Sequence, residues 1–110
     1  MRVIVKSDHN IDGHEAASER INDVVETALG RFSDRITRVK VHLSDENSDK
    51  KGGSHDMRCL LEVRLEGLQP VAVTHTAATV SQVVAGAAAK MVRLIDSTFG
   101  RLRSNESTLA

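Results

Sequence analysis

Two stretches of this chain alternate so strictly that they dictate one kind of sheet. Over residues 36–44, Val39, Val41 and Leu43 take one parity, and Arg38, Lys40 and His42 the other. Over residues 57–66, Cys59, Leu61, Val63 and Leu65 share a face, and Arg58, Glu62 and Arg64 share the opposite one together with Leu60. Successive side chains of a strand point to opposite faces. Each stretch therefore predicts a strand buried on one side and open to water on the other. A sheet sandwiched between two helical layers would need apolar residues at both parities. Here every helix must pack on the same side.

The remaining elements follow from shorter signals. Val3 and Val5 alternate with Arg2, Ile4 and Lys6 as a short first strand, and residues 71–76 form a β-branched fourth strand. The turn-forming run SDHNIDG (residues 7–13) precedes a helix predicted over residues 14–31. Its apolar positions Ile21, Val24, Val25, Ala28 and Phe32 recur at three- and four-residue steps, and Gly30 marks its end. Residues 45–56 contain no hydrophobic side chain and predict an exposed loop, and Gly67 to Pro70 predict a turn. A final helix is expected over residues 79–102, capped by Thr76 or Thr79, with Val80, Val84, Ala87, Met91, Leu94 and Ile95 as its apolar stripe. Its run Ala85–Lys90 is small enough for close approach to a neighbour. Gly86 within that run costs a helix about 1 kcal/mol relative to Ala. The expected fold is α+β in the order β-α-β-β-β-α: a four-stranded sheet, its last three strands an antiparallel meander, with two helices on one face. One domain spans residues 1–103, followed by a polar, frayed tail at 104–110.

Composition removes several function classes. The chain has 110 residues, enough for one domain, and a single cysteine, so no internal disulfide forms. No apolar run approaches the roughly 18 residues of a membrane span. The start turns polar after Val5, unlike a signal peptide, so a soluble cytoplasmic protein is expected. Aromatic residues are only 2%, Phe32 and Phe99, which argues against recognition by base stacking. No catalytic set converges: among His9, His14, His42, His55 and His75, no two have helical zinc-motif spacing. Asp8, His9, Asp12 and His14 read as polar turn residues, His75 as a hydrogen-bonded structural histidine, and Cys59 as a small buried hydrophobe. Neither a GxGxxG nor a P-loop pattern is present. The sequence thus points to no enzyme, metal, cofactor or small-molecule substrate.

Charge is neutral in sum, with 15 basic and 15 acidic residues, but unevenly placed. Alternation puts Lys6, Arg38, Lys40, His42, Arg58 and Arg64 on the open sheet face, against Glu62 as the main opposing charge. Such a face can hold a phosphate backbone by charge and shape. Equally, it can be a solvated face whose cations deter aggregation. Glu15, Glu19, Asp23 and Glu26 form a stripe on the first helix, which reads as a solvated face or as a protein contact.

The segment FSDRITRVKVHL (residues 32–43), with Phe32, Asp34, Arg35 and Ile36 followed by alternating valines, resembles the helix-to-strand junction of the ribosome hibernation-promoting factors. That family includes ribosome-associated inhibitor A and the sigma-factor modulation proteins. Lys90-Met91-Val92-Arg93 is similar to the family's Lys-Leu-x-Arg segment in the last helix. The resemblance implies a fold like a double-stranded-RNA-binding domain. It also implies a non-enzymatic protein that occupies the messenger and transfer RNA channel of the small ribosomal subunit and silences translation under stress. The implied phosphate-holding residues are Arg35, Arg38, Lys40, Lys90 and Arg93, with Arg101 and Arg103 beyond them. Lys6, Arg58 and Arg64 join them from the alternation alone. The chain would be a short form of the family. The other reading is a protein-interaction module on the same fold, without ribosome binding, that uses the acidic first helix or the open sheet.

Overall fold

The computed structural model describes the backbone of residues 1–7, 14–45 and 57–109, and the side chains of residues 1–7, 19–44 and 57–101. The predicted loop at 45–56, the Asp8–His14 turn cluster, and the side chains of Glu15 and Arg103 lie outside the described residues, save for the backbone of His14, Glu15, Asp45 and Arg103. The elements are β1 (Arg2–Ser7), α1 (His14–Leu29), a 3-10 turn (Gly30–Phe32), β2 (Ile36–Asp45), β3 (Met57–Leu65), β4 (Val71–Ala77) and α2 (Val80–Leu109). This is the expected β-α-β-β-β-α order.

The four strands lie side by side in sequence order. β1 runs parallel to β2, as the intervening helix requires, and β2, β3 and β4 form the antiparallel meander. Val39, Val41 and Leu43 of β2 and Met57, Cys59, Leu61, Val63 and Leu65 of β3 are buried. Against them pack Ile21, Val25 and Leu29 of α1 and Val83, Val84, Ala87, Ala88, Met91 and Ile95 of α2. Both helices therefore cover one face and leave the other open. Leu29, Val83 and Ala88 belong to the core although the expected stripes omit them, while Val80 and Leu94 sit at its margin.

Two local devices shape the sheet. Ile36 is buried and pairs with Leu65, yet Arg38 pairs with Arg64, so one extra residue is inserted in β2 at this point. The clean alternation expected from residue 36 therefore begins only at Arg38. The bulge lets Ile36 and Val39 both face the core while Arg38 faces out. Thr37 Oγ1 donates to the Arg64 carbonyl at 3.2 Å across it. Between β3 and β4, Leu68 N–H closes a turn onto the Leu65 carbonyl at 3.1 Å, and Gly67 takes φ +76° there. Only glycine adopts that angle without steric cost.

Helix α2 begins at a capping threonine: Gln82 N–H donates to Thr79 Oγ1 at 3.1 Å. It continues to Leu109, past the expected end at Leu102. Residues 103–109 contain neither proline nor glycine, so nothing in them ends a helix. Among the described residues, no helix is long and apolar enough to cross a membrane.

Candidate nucleic-acid interface

The register turns the alternation into rows that cross the open face. Arg2 on β1 lies beside Arg38 on β2, and Arg38 lies opposite Arg64 on β3. The next outward row is Ile4, Lys40, Glu62 and Ala72. Then come Lys6, His42, Leu60 and Thr74, and last Ser44, Arg58 and Thr76. Lys6, Arg38, Lys40, Arg58 and Arg64 are thus brought together as expected, on strands β1 to β3. Glu62 is the one acid on the described part of this face, and it sits opposite Lys40. Leu60, 39% exposed, is the most exposed large apolar side chain there. Arg2 joins the group and is absent from the sequence-based candidates. Its parity was readable, but its position beside Arg38 depends on the parallel pairing of two strands separated by a helix.

The helix-borne candidates lie elsewhere. Lys90, Arg93 and Arg101 are exposed on α2, on the covered side of the sheet. At 100° per residue, Lys90 and Arg101 fall nearly in line, and Arg93 is displaced to the same flank. That flank borders β4, because Lys90 Nζ donates to the Thr74 carbonyl at 3.0 Å. Neutral Ala72, Thr74 and Thr76 separate it from the cations of β1 to β3. Eight of the ten candidates therefore form two groups rather than one patch.

Arg35 stands at the end of the sheet that carries Arg2, Arg38 and Arg64. Its carbonyl accepts from Glu66 N–H at 2.7 Å. Its guanidinium lies 5.1 Å from the centre of the Phe99 ring, a cation–π distance. Phe99 in turn meets Phe32, with ring centroids 6.1 Å apart. Arg31 covers Phe32 at 4.7 Å and pairs with Asp96 of α2. Both phenylalanines are thereby committed to fastening the 3-10 turn to α2, and they hold Arg35 in place.

On the opposite side from the open face, Glu19, Asp23 and Glu26 are exposed along α1. His75 faces inward from β4, and its imidazole lies against Gly86 of α2. Its structural role comes from packing at the small-residue stretch of that helix. Cys59 is fully buried, and burial pushes its thiol up to about 11. Among the described residues, no three or more His, Cys, Asp or Glu side chains are grouped to hold a metal ion.

A mixed four-stranded sheet in this order, with two helices on one side and cations on the other, is a specific architecture to compare. The profile of the sigma 54 modulation protein / S30EA ribosomal protein family matches residues 4–103. The chain belongs to this family. The Thermus thermophilus Protein Y N-terminal domain matches it with a TM-score of 0.62 at 20% identity, over 89% of this chain and 99% of that one. A ribosomal subunit interface protein from Coxiella burnetii matches with a TM-score of 0.68 at 13% identity, over 91% of this chain and 99% of that one. At such identities these likenesses establish the fold. No curated protein matches the chain in sequence.

Proposed function

We propose that this chain is a non-enzymatic ribosome-binding protein that acts in the cytoplasm. In this reading it occupies the RNA channel of the small subunit and silences translation under stress. The observation that carries it is the open sheet face: its cations span three strands, and among the described residues one acid opposes them. Family membership gives that face its expected partner, ribosomal RNA. One of the two structural relatives, the ribosomal subunit interface protein from Coxiella burnetii, agrees with it. Lys6, Arg38, Lys40, Arg58 and Arg64 would meet phosphates across the sheet. Lys90, Arg93 and Arg101 would meet a second stretch of backbone around the β4 edge, with Arg35 at the end between them and Arg103 farther along α2. The contact is electrostatic and reads shape rather than bases, since neither phenylalanine is available for stacking.

Co-sedimentation with purified small subunits across a salt series tests this. The expected result is saturable binding whose log affinity falls linearly with log salt, by about 0.7–0.9 per phosphate engaged. Absence of binding at low salt would overturn it.

A second reading is favoured by the exposed acids of α1. Glu19, Asp23 and Glu26, with Glu15 on the same helix, would bind a basic protein surface on this fold without ribosome binding. It predicts a partner captured by the wild type and lost when Glu19 and Asp23 are both changed to lysine.

A further inference from the structure

Three arginines stand side by side at one end of the open face. Arg2, Arg38 and Arg64 are register neighbours on three adjacent strands. Directly opposed residues on neighbouring strands have Cβ atoms about 5 Å apart, and like charges at that spacing destabilise a sheet. The next row relieves the same problem by setting Glu62 opposite Lys40. The arginine row has no such acid. Among the described residues, none of the three guanidinium groups has an ion-pair or hydrogen-bond partner. The β2 bulge beside this row turns Ile36 inward, and the Thr37 hydroxyl ties it to the backbone of Arg64. The adjoining inward row, Val39 and Val63, is fully buried, so the arginines project from a firm base.

We propose that Arg2, Arg38 and Arg64 form a discrete site for paired phosphate groups. The proposal rests on reading the open face as a phosphate-facing surface and narrows it to three residues. Guanidinium groups present planar forks that match phosphate oxygens two at a time. A row of three spans more than one phosphate. The ligand chemistry is two phosphate groups in succession, from either of two sources: adjacent phosphodiesters of an RNA strand, or the pyrophosphate of a free nucleotide. Bound phosphates supply the negative charge the row lacks. The Arg38 position, with a like charge on each side, is the one where removing charge relieves most repulsion.

The test is thermal unfolding and titration of the whole chain at low salt. The probes are inorganic pyrophosphate, ADP and a short single-stranded RNA. Without ligand, Arg38→Gln is expected to raise Tm by about 2–5 °C, because it removes two like-charge contacts. With ligand it should weaken binding about tenfold, the loss expected of one charge-assisted pair of hydrogen bonds. Arg20→Gln should change affinity by no more than about twofold, since it removes the same charge from an exposed position on α1, on the other side of the sheet. Arg64→Gln serves as a second variant on an exposed position and should weaken the same ligand. Row-dependent binding of RNA alone assigns the phosphates to a strand, and row-dependent binding of pyrophosphate or ADP assigns them to a free nucleotide. Overturning results are a lower Tm in Arg38→Gln without ligand, or affinity in both arginine variants equal to that of wild type. Row-dependent phosphate binding without subunit sedimentation would keep the site and remove the ribosome reading. Salt-sensitive sedimentation that is indifferent to Arg38→Gln and Arg64→Gln would do the opposite.

Discussion

The imidazole of His75 occupies the space that a side chain on Gly86 would need. Glycine in a helix normally costs about 1 kcal/mol relative to alanine. Here that cost makes room for an aromatic ring between β4 and α2. The arrangement predicts a change of sign in a double-mutant cycle. Gly86→Ala should lower stability by about 1 kcal/mol in the wild type, because overpacking outweighs the gain in helix propensity. In a His75→Ala background the same substitution should raise stability by about 1 kcal/mol, with the collision gone. Chemical denaturation of the four proteins decides it, and equal effects in both backgrounds would refute the packing role. Cys59 permits a second prediction at this scale. Its thiol ionises near pH 9 when unfolded and near 11 when folded. Between those values the unfolded chain holds fewer protons, so stability is complete below pH 9 and falls as pH rises towards 11. The loss is on the order of 2 kcal/mol. Cys59→Ala should flatten this part of the stability profile relative to wild type, measured by denaturation at pH 8 to 11.

At the scale of elements, local periodicity and its limits explain what was legible. Strands β2 and β3 were readable because one face of each is wholly apolar. Both helices were readable from their three- and four-residue steps, and Gly30 ended α1 as expected. The bulge at Thr37 was not readable: a single inserted residue leaves the alternation of 38–44 intact and alters only the facing of Ile36. The end of α2 was missed for a related reason. A polar composition suggested a tail, but propensity contains no stop before Leu109. Of the candidate site, the open-face cations could be assigned to one side by parity alone. Their order in rows could not, because the partner of β1 is chosen across a helix. The start of α2 was narrowed to two threonines, and Thr79 is the one that caps. Thr79→Ala should therefore cost about 1 kcal/mol, whereas Thr79→Ser should retain most of the stability. Thr76→Ala on the open face of β4 should change it by less than about 0.5 kcal/mol. Denaturant midpoints of the three variants check the assignment.

For the whole molecule, zero net charge conceals opposite faces. The open sheet is basic, and α1, on the far side of the sheet, exposes Glu19, Asp23 and Glu26. A polyanion is therefore attracted to one side and repelled from the other, which orients encounter as well as strengthening contact. If position rather than total charge governs binding, a charge swap should separate the two. Changing Arg38 and Lys40 to glutamate should abolish sedimentation with small subunits, with melting curves confirming that the variant folds. Adding Glu19→Lys and Asp23→Lys to that protein restores a net charge of zero, since each of the four changes moves the charge by two and the pairs oppose. It also inverts the polarity of the faces. The swapped protein should still fail to sediment in the wild-type, salt-sensitive manner, because its lysines lie on a helix surface on the wrong side of the sheet. Recovery of wild-type binding would mean that net charge suffices and that the strand rows have no positional role. Glu19→Lys with Asp23→Lys alone completes the set. It should leave sedimentation intact if the sheet carries function. If it eliminates the chain's only captured partner instead, α1 becomes the functional surface and the basic sheet a solvated one.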